Sequence, residues 1–225
     1  MSAARRFSML SPVTSAPESR TDAAYDRLRQ AIVRGELRPN ERLIETDLAE
    51  QFAISRTPIR EVFQRLGSEG LIVRVRRGWR VREHTPEEIS EIYEARAALE
   101  GYAALLAAQR GTDEDLARIR AIHLDADSPQ PRTARDHLVE VNDHFHQAIL
   151  DAAHNERLTQ LARESREYYF NHQIARLYSD AEAEASVEQH EVIVRALLAR
   201  EPAAAEQATR AHILHALELI KAKLR

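Results

Sequence analysis

Residues 46–82 read TDLAEQFAISRTPIREVFQRLGSEGLIVRVRRGWRVR and contain the strongest structural signal in the chain. Their pattern predicts two short helices joined by a tight connection, the second with apolar residues at i, i+3, i+4 and i+7. This apolar stripe consists of Ile59, Val62, Phe63 and Leu66. We expect Thr46 to cap the first helix and Ser55 or Thr57 to cap the second, because their side-chain oxygens can accept from free backbone N–H groups.

A small β-hairpin is predicted directly after these helices. Residues 71–75 and 79–82 are rich in β-branched side chains, and the Arg-Arg-Gly run at 76–78 forms a basic turn between them. Upstream, Leu43-Ile44 is predicted to be a short strand or a bend, and residues 21–34 a helix capped by its first threonine. The order of helix, helix, turn, helix and hairpin is that of a winged helix-turn-helix domain.

Charge is distributed unevenly along the 225 residues. Residues 1–85 contain 16 Arg and 11 acidic residues, a balance of +5. Residues 86–225 contain 16 Lys and Arg against 25 acidic residues, a balance of −9. A basic front part beside an acidic back part indicates two different tasks, the first of them on a polyanion.

Composition excludes several other classes of protein. The chain has no cysteine, which excludes disulfide scaffolds, thiol nucleophiles and thiolate metal sites. No apolar run approaches the ~18 residues of a membrane-spanning helix. The N-terminal residues lack the apolar core of a signal peptide. We therefore expect a soluble, cytoplasmic protein.

The back part of the chain is predicted to be helical throughout. Thr85-Pro86-Glu87-Glu88 is a strong helix start, with a cap, a proline in the first turn and acidic residues behind it. Few glycines and aromatic residues support a mostly α fold. We expect a compact antiparallel bundle of six helices, over about 86–109, 111–127, 133–152, 155–178, 184–200 and 202–224.

The second helix of the pair has the features of a DNA recognition helix. Arg56 and Arg60 lie one turn apart, opposite the apolar stripe, and arginine can pair bidentately with guanine O6 and N7. Hydroxyls at a helix N-terminus suit a phosphate, and the basic hairpin tip suits a narrow minor groove. The alternative is a solvated face of an arginine-rich protein. The predicted DNA-contacting residues are Thr46, Ser55, Arg56, Thr57, Arg60, Arg76, Arg77 and Gly78.

The run from Leu48 to Leu71, with its Ser55-Arg56-Thr57-Pro58-x-Arg60 core, resembles the DNA-binding domain of GntR-type bacterial transcription regulators. The later helices resemble the FadR-type ligand domain. That second resemblance is carried by Tyr93-Glu94-x-Arg96-x2-Leu99-Glu100, Asn142-x2-Phe145-His146, Glu188-x-His190-x2-Ile193 and Ala211-His212.

The resemblance covers about residues 21–222 and implies a ligand-controlled repressor or activator. It implies that Arg56, Arg60 and Gly78 match positions that contact operator DNA in relatives. Many relatives have Arg at the position of Thr46. The domains expected on this basis are a flexible tail (1–20), a winged helix-turn-helix domain (21–82), a linker (83–86) and a helical domain for effector, metal and dimerisation (87–225).

Nine of the ten histidines follow residue 86, and three of them carry a metal-site hypothesis. Metal binding without cysteine requires imidazole together with carboxylate or amide oxygens. Three predicted helices direct His146, His190 and His212 inward, with Asn142 one turn before His146. The resemblance implies that these four match the Asp or Asn and three His of metal-containing relatives. The expected cofactor is a divalent metal ion, with Zn as the first expectation and Ni or Mn as alternatives.

The other histidines are interpreted differently. His215 shares a face with His212 and is a candidate for supporting that ligand, whereas His144 and His172 are left as neighbours of the cluster. Three more are predicted to lie on the surface: His123, His137 and His154.

Arg96 is predicted to face the bundle interior, where a guanidinium needs a partner. One interpretation is a structural ion pair with Glu100 or Asp143. The other is a clamp for a carboxylate effector, because arginine matches a carboxylate bidentately. In relatives this position often lies beside the ligand cavity.

The first functional hypothesis is therefore an effector-responsive transcription regulator, most simply a repressor. It would act as a homodimer on a near-palindromic operator whose half-sites lie about 10 bp apart, with a small organic acid as effector. One alternative is a metal-dependent enzyme that uses the histidines, although no HExxH motif or phosphate loop accompanies them. Another is a constitutive DNA-binding protein with a structural metal.

Overall fold

The structure is a computed structural model that describes residues 17–76, 78–126, 135–166 and 178–223. It divides into two compact units, the first ending at Glu83 and the second beginning at His84. The described residues form nine helices and one three-stranded sheet, which confirms the predicted mostly α fold with a small β element. None of the described helices combines the length and apolarity needed to cross a membrane.

The first unit is a helical core with a small antiparallel sheet at its C-terminal side. Its elements are α1 (Pro17–Val33), β1 (Arg42–Leu43), α2 (Glu45–Gln51), α3 (Arg56–Ser68), β2 (Ile72–Val75) and β3 (Gly78–Val81). The predicted stripe of α3 is fully buried and packs with Leu28, Ile32 and Phe52 in one apolar cluster. The free energy of burying these side chains fixes the orientation of α3 and hence of its polar face.

The predicted hairpin is present, and β1 adds a third strand beside it in the order β1-β3-β2. Leu43 pairs with Trp79, and the Trp79 ring lies 6.0 Å from the Phe63 ring of α3. A β-carbon at Gly67 would approach the same indole within 2.8 Å, so glycine at this position lets the β2-β3 hairpin, the wing of the domain, pack closely on α3.

Two predicted helix starts in the first unit are wrong. Helix α1 begins at Pro17, so Thr21 lies inside it, and the predicted tail is helical from that point; residues 1–16 lie outside the described residues. Helix α2 begins at Glu45, because Ile44 continues the extended backbone of β1 and takes the N-cap position. Thr46 therefore does not cap α2, and its hydroxyl lies 3.1 Å from Asp47 Oδ1.

The second unit is the expected bundle. Its described helices are α4 (Pro86–Arg110), α5 (Asp113–Ala126), α6 (Arg135–Ala152), α7 (Glu156–Arg166), α8 (Asp180–Leu198) and α9 (Pro202–Lys223). Helix α4 starts with the predicted cap at Thr85, which forms a capping box with Glu88, and small residues on its buried face let it pack closely on α9. A β-carbon at Gly101 would meet the Arg210 side chain of α9 at 2.4 Å.

Helix α8 begins four residues earlier than predicted. Ser179 caps it, with Glu182 bonding back to the Ser179 backbone N–H to complete a capping box. The predicted helix over 155–178 is described only as far as Arg166, and its remainder lies outside the described residues.

Candidate functional sites

The polar face of α3 presents two arginines to solvent. The Arg56 and Arg60 side chains are each 56% exposed, while Ile59 and Val62 of the same helix are fully buried. Burial of the apolar stripe thus points both guanidinium groups away from the core. This is the geometry that a helix needs in order to read base edges in a major groove.

A carboxylate that the sequence analysis did not single out holds both arginines. Glu45, the first residue of α2, accepts from Arg60 Nε at 2.8 Å and from Arg56 Nη2 at 3.2 Å through the same Oε2 atom. Desolvation raises the pKa of Glu45, but the hydrogen bonds from Arg60 and Arg56 outweigh it, so that the pKa is lowered overall. The three side chains form one ionic cluster on the surface.

Three of the remaining predicted DNA residues lie at the helix N-termini of the first unit. Thr46, Ser55 and Thr57 lie exposed at or near the N-termini of α2 and α3, where free backbone N–H groups and the helix dipole favour a phosphate. Ser55 takes the N-cap position of α3 as predicted, without a side-chain cap hydrogen bond.

The tip of the wing contributes the other predicted DNA residues. Arg76 is exposed in the turn, and Gly78 begins β3 with a φ of 105°, a conformation that glycine adopts without strain. Arg77 lies outside the described residues.

In the second unit, three helices bring three buried imidazoles together: His146 of α6, His190 of α8 and His212 of α9. The Nε2 atom of His212 lies 3.3 Å from Nε2 of His146 and 3.1 Å from Nε2 of His190. A tetrahedral zinc ion with Zn–N bonds of ~2.0–2.1 Å separates its nitrogen ligands by about 3.3 Å. The spacing of these nitrogens therefore fits a single metal ion.

The Nδ1 atoms of His146 and His212, which point away from the centre of the cluster, help to explain why a cation fits there. His146 Nδ1 lies 2.9 Å from Glu100 Oε2, and His212 Nδ1 lies 2.9 Å from Gln189 Oε1. Acceptor oxygens at Nδ1 favour the Nδ1–H tautomer, which leaves lone pairs on the converging Nε2 atoms. Burial, followed by the neighbouring histidines, lowers the pKa of His190 and His212 well below the ordinary range, which disfavours a proton as the bridging cation.

Asn142 lies one helical turn before His146 on α6, with a half-buried side chain. Among the described histidine, aspartate and glutamate side chains, the group of three whose ligand atoms lie within 4.8 Å of one another is His146, His190 and His212.

Arg96 is buried in α4 beside this cluster and is already paired. Its Nε donates to Glu100 Oε1 at 2.9 Å, and its guanidinium lies over the Tyr93 ring at 4.8 Å from the centroid. Burial opposes the charge of Arg96, but Glu100 and Tyr93 outweigh it and raise the pKa of Arg96. Of the two interpretations of Arg96, the structure contains the ion pair with Glu100.

The other histidines fall into three groups. His123 was predicted to lie on the surface, but it is buried, with Nε2 2.8 Å from Glu191 Oε2, because α5 packs this side chain against α8. His154 is exposed as predicted and contacts Asp115, and His144 and His215 are exposed too. The side chains of His137 and His172 lie outside the described residues.

Two family models match the chain in the places that these sites occupy. The model of bacterial regulatory proteins of the gntR family matches residues 20–81, and the FCD domain matches residues 91–215, more than half of the chain. The chain belongs to the GntR family of bacterial regulators. It is therefore a DNA-binding transcriptional regulator with an FCD domain and not an enzyme.

Individual relatives agree with this assignment. The chain is 29% identical over 206 residues to the uncharacterised HTH-type transcriptional regulator YdhC of Bacillus subtilis (strain 168), a match covering 88% of this chain and 89% of YdhC. It is 30% identical over 210 residues to the HTH-type transcriptional repressor GlaR of Escherichia coli (strain K12), covering 88% and 94%. E. coli McbR/YncC shares the fold, with a TM-score of 0.76 at 23% identity over 95% of this chain and 100% of that chain.

Proposed function

We propose that this GntR-family regulator is a repressor that binds a near-palindromic operator as a homodimer and responds to a small carboxylate effector. The observation that carries the DNA-binding part is the pair of exposed arginines, Arg56 and Arg60, above the buried stripe of α3. The name of GlaR, a repressor that matches this chain over most of its length, supports repression. Two-fold symmetry of the operator would mirror that of the dimer.

Within the proposed DNA-binding domain, residues 21–82, the contacts divide by chemistry. Arg56 and Arg60 would contact base edges, because a guanidinium matches guanine O6 and N7. The exposed hydroxyl residues at the helix N-termini would contact phosphates. The wing tip would lie in the minor groove. The hydroxyl residues and the wing-tip residues are Thr46, Ser55, Thr57, Arg76, Arg77 and Gly78.

Within the proposed effector domain, residues 87–225, the His146, His190 and His212 cluster would hold a divalent metal, with Asn142 as a further ligand. Nitrogen ligands at these distances suit Zn, with Ni or Mn as alternatives. Such an ion would supply a positive charge to which a carboxylate can bind. Arg96, buried beside the cluster, would take part in holding the same effector.

The DNA-binding proposal is tested by selecting sequences from a random duplex pool with the full-length protein. We expect enrichment of a near-palindrome whose half-sites are separated by about one helical turn, ~10 bp. Operator affinity measured with and without small di- and tricarboxylates on the Zn-loaded protein then tests the response. Enrichment of no sequence contradicts the regulator, and an affinity that no carboxylate changes favours a constitutive DNA-binding protein.

The metal proposal is tested separately by elemental analysis of protein purified without a nickel column. We expect one divalent metal per chain in the parent protein and loss of that metal in His190→Ala, with an unchanged circular dichroism spectrum. His144→Ala, which removes an exposed imidazole from the same bundle, is the matched control. Full metal content in His190→Ala would remove His190 from the site.

A further inference from the structure

Glu100 lies in α4 between two groups that the proposed function uses. Its Oε1 atom accepts from Arg96 Nε at 2.9 Å, and its Oε2 atom lies 2.9 Å from His146 Nδ1. Both Glu100 and His146 have side chains only 1% exposed. One buried carboxylate thus joins the residue proposed for the effector to a residue proposed for the metal.

The position of Glu100 relative to His146 has a definite chemical consequence. A carboxylate at Nδ1 keeps the proton on Nδ1, so that Nε2 carries the lone pair. Nε2 is the atom that faces the Nε2 atom of His212 at 3.3 Å. The carboxylate therefore sets both the tautomer and the ring orientation that a metal ligand at this position requires.

His123 differs from His146 in the ring nitrogen that faces its carboxylate. It is another buried imidazole with a carboxylate partner, but Glu191 contacts its Nε2 atom, at 2.8 Å. The Nδ1 atom of His123 is not among the converging atoms, which belong to His146, His190 and His212.

Arg96 in turn fixes Glu100. The bond from Arg96 Nε occupies one carboxylate oxygen and directs the other toward His146. Both residues come from one helix at i, i+4, so that α4 presents them as a preassembled pair. The Tyr93 ring under the guanidinium holds Arg96 in place.

We propose that Glu100 is a positioning residue of the metal centre. Its Oε2 atom, 2.9 Å from His146 Nδ1, favours the Nδ1–H tautomer of His146, and Arg96 holds Glu100 in place. This inference rests on the metal centre proposed above and adds a residue that binds neither metal nor effector. Because Arg96 and His146 share this carboxylate, a ligand that draws Arg96 away changes the support of a metal ligand, and metal and effector affinities are coupled.

The first test compares Zn²⁺ affinity, measured by competition with a chromogenic chelator, for the full-length parent protein and Glu100→Gln. Arg96 and His146 face different oxygens of Glu100, and in glutamine one of these two oxygens is replaced by an NH₂ group, so either the Arg96 Nε–H or the His146 Nδ1–H would face a donor. We expect Zn²⁺ affinity to fall by about 10- to 100-fold. Glu191→Gln is the control, because it removes the carboxylate that contacts His123, a buried histidine outside the cluster. The Zn²⁺ affinity of this variant should equal that of the parent protein.

The second test needs no change at Glu100 and therefore does not depend on that variant folding. Long-range ¹H–¹⁵N correlation spectra of the metal-free parent protein, with His146 assigned through His146→Asn, report which ring nitrogen carries the proton. We expect the proton on Nδ1. A proton on Nε2 would overturn the proposed role of Glu100.

The outcomes separate this inference from the function on which it rests. A parent protein that binds no Zn²⁺ would overturn the metal centre together with the role of Glu100. Zn²⁺ bound with equal affinity by the parent protein and Glu100→Gln would overturn the role of Glu100 alone. Operator binding, which is measured separately, reports on the DNA-binding unit in either case.

Discussion

Two clusters, one in each unit of the molecule, place a carboxylate between two nitrogen-bearing side chains, and they differ chiefly in solvent exposure. Glu45 holds Arg56 and Arg60, whose side chains are 56% exposed. Glu100 is 1% exposed and lies between Arg96 and His146. The carboxylate of the first cluster therefore holds solvent-exposed partners, whereas that of the second lies in the protein interior.

This difference determines what each cluster can do. An exposed ion pair contributes only ~0–1 kcal/mol and is screened by salt, so Arg56 and Arg60 can exchange Glu45 for DNA at little cost. A buried pair that loses one partner leaves an uncompensated charge and is not exchanged freely. The first cluster suits a surface that must release its partners, and the second suits a site that must keep its shape.

The largest effect is expected for Arg96→Ala. Removing the guanidinium leaves the Glu100 carboxylate buried without its ion pair, and we expect the free energy of unfolding to fall by about 3–5 kcal/mol. Denaturant unfolding of the metal-free protein measures this change. Arg56→Ala, which removes a partner of Glu45, is the control and should cost no more than ~1 kcal/mol. Equal losses in the two variants would contradict the contrast between the clusters.

Next in size is the effect of Arg60→Ala on DNA binding. Loss of a bidentate contact to a base should weaken binding to the selected operator by roughly 1–3 kcal/mol, with little change in binding to random duplex. Arg110→Ala removes the same charge from an exposed position of the other unit and serves as the control. Operator affinity that stays at the parent value in Arg60→Ala would exclude Arg60 from base recognition.

A smaller change is expected for Glu45→Gln. Removing a negative charge beside the arginines should strengthen binding to random duplex, while the loss of their common anchor should reduce the preference for the operator. The stability change should be only ~0.2–1 kcal/mol. The ratio of operator to random-duplex affinity is the measurement, and an unchanged ratio would show that Glu45 does not orient the arginines.

The smallest effect concerns a third shared carboxylate, which sharpens the comparison. Hydrogen bonds from Lys223 and from the Ser179 backbone lower the pKa of Glu182 from its ordinary value of 4.5 to about 2. A lowered acid pKa contributes stability above pH 4.5 that is lost as the pH falls toward 2. Since Glu182 is 26% exposed, we expect this carboxylate to contribute no more than about 1 kcal/mol to the free energy of unfolding. Glu182→Gln should remove this part of the acid-dependent loss, and an unchanged pH profile would contradict it.

Local patterns in the sequence predicted the elements but not all of their limits. The apolar stripe of α3 and the Thr85 cap of α4 are set by residues within a few positions of one another, so the sequence was sufficient for both. The start of α2 depends instead on the pairing of β1 with β3, which keeps Ile44 extended. A strand partner more than thirty positions away overrides the capping preference of Thr46.

The candidate sites show the same limit. The spacing of Asn142 and His146, together with the inward faces around His190 and His212, was enough to predict a histidine cluster. Glu45 did not stand out, because acidic residues near a helix start are common without any special role. Glu100 was predicted as a possible partner of Arg96, but its contact with His146 was not. Their roles appear only when α2 meets α3 and α4 meets α6.

The Trp79 ring of the hairpin packs against α3 at Gly67 and Phe63. This packing sets the distance between the two proposed DNA-contacting surfaces, the hairpin tip and the arginine face of α3. A DNA duplex that contacts both surfaces must match the distance between them or deform. The free-energy cost of that deformation depends on base sequence, even at positions that no side chain touches. The packing of one tryptophan would thereby enter the choice of operator.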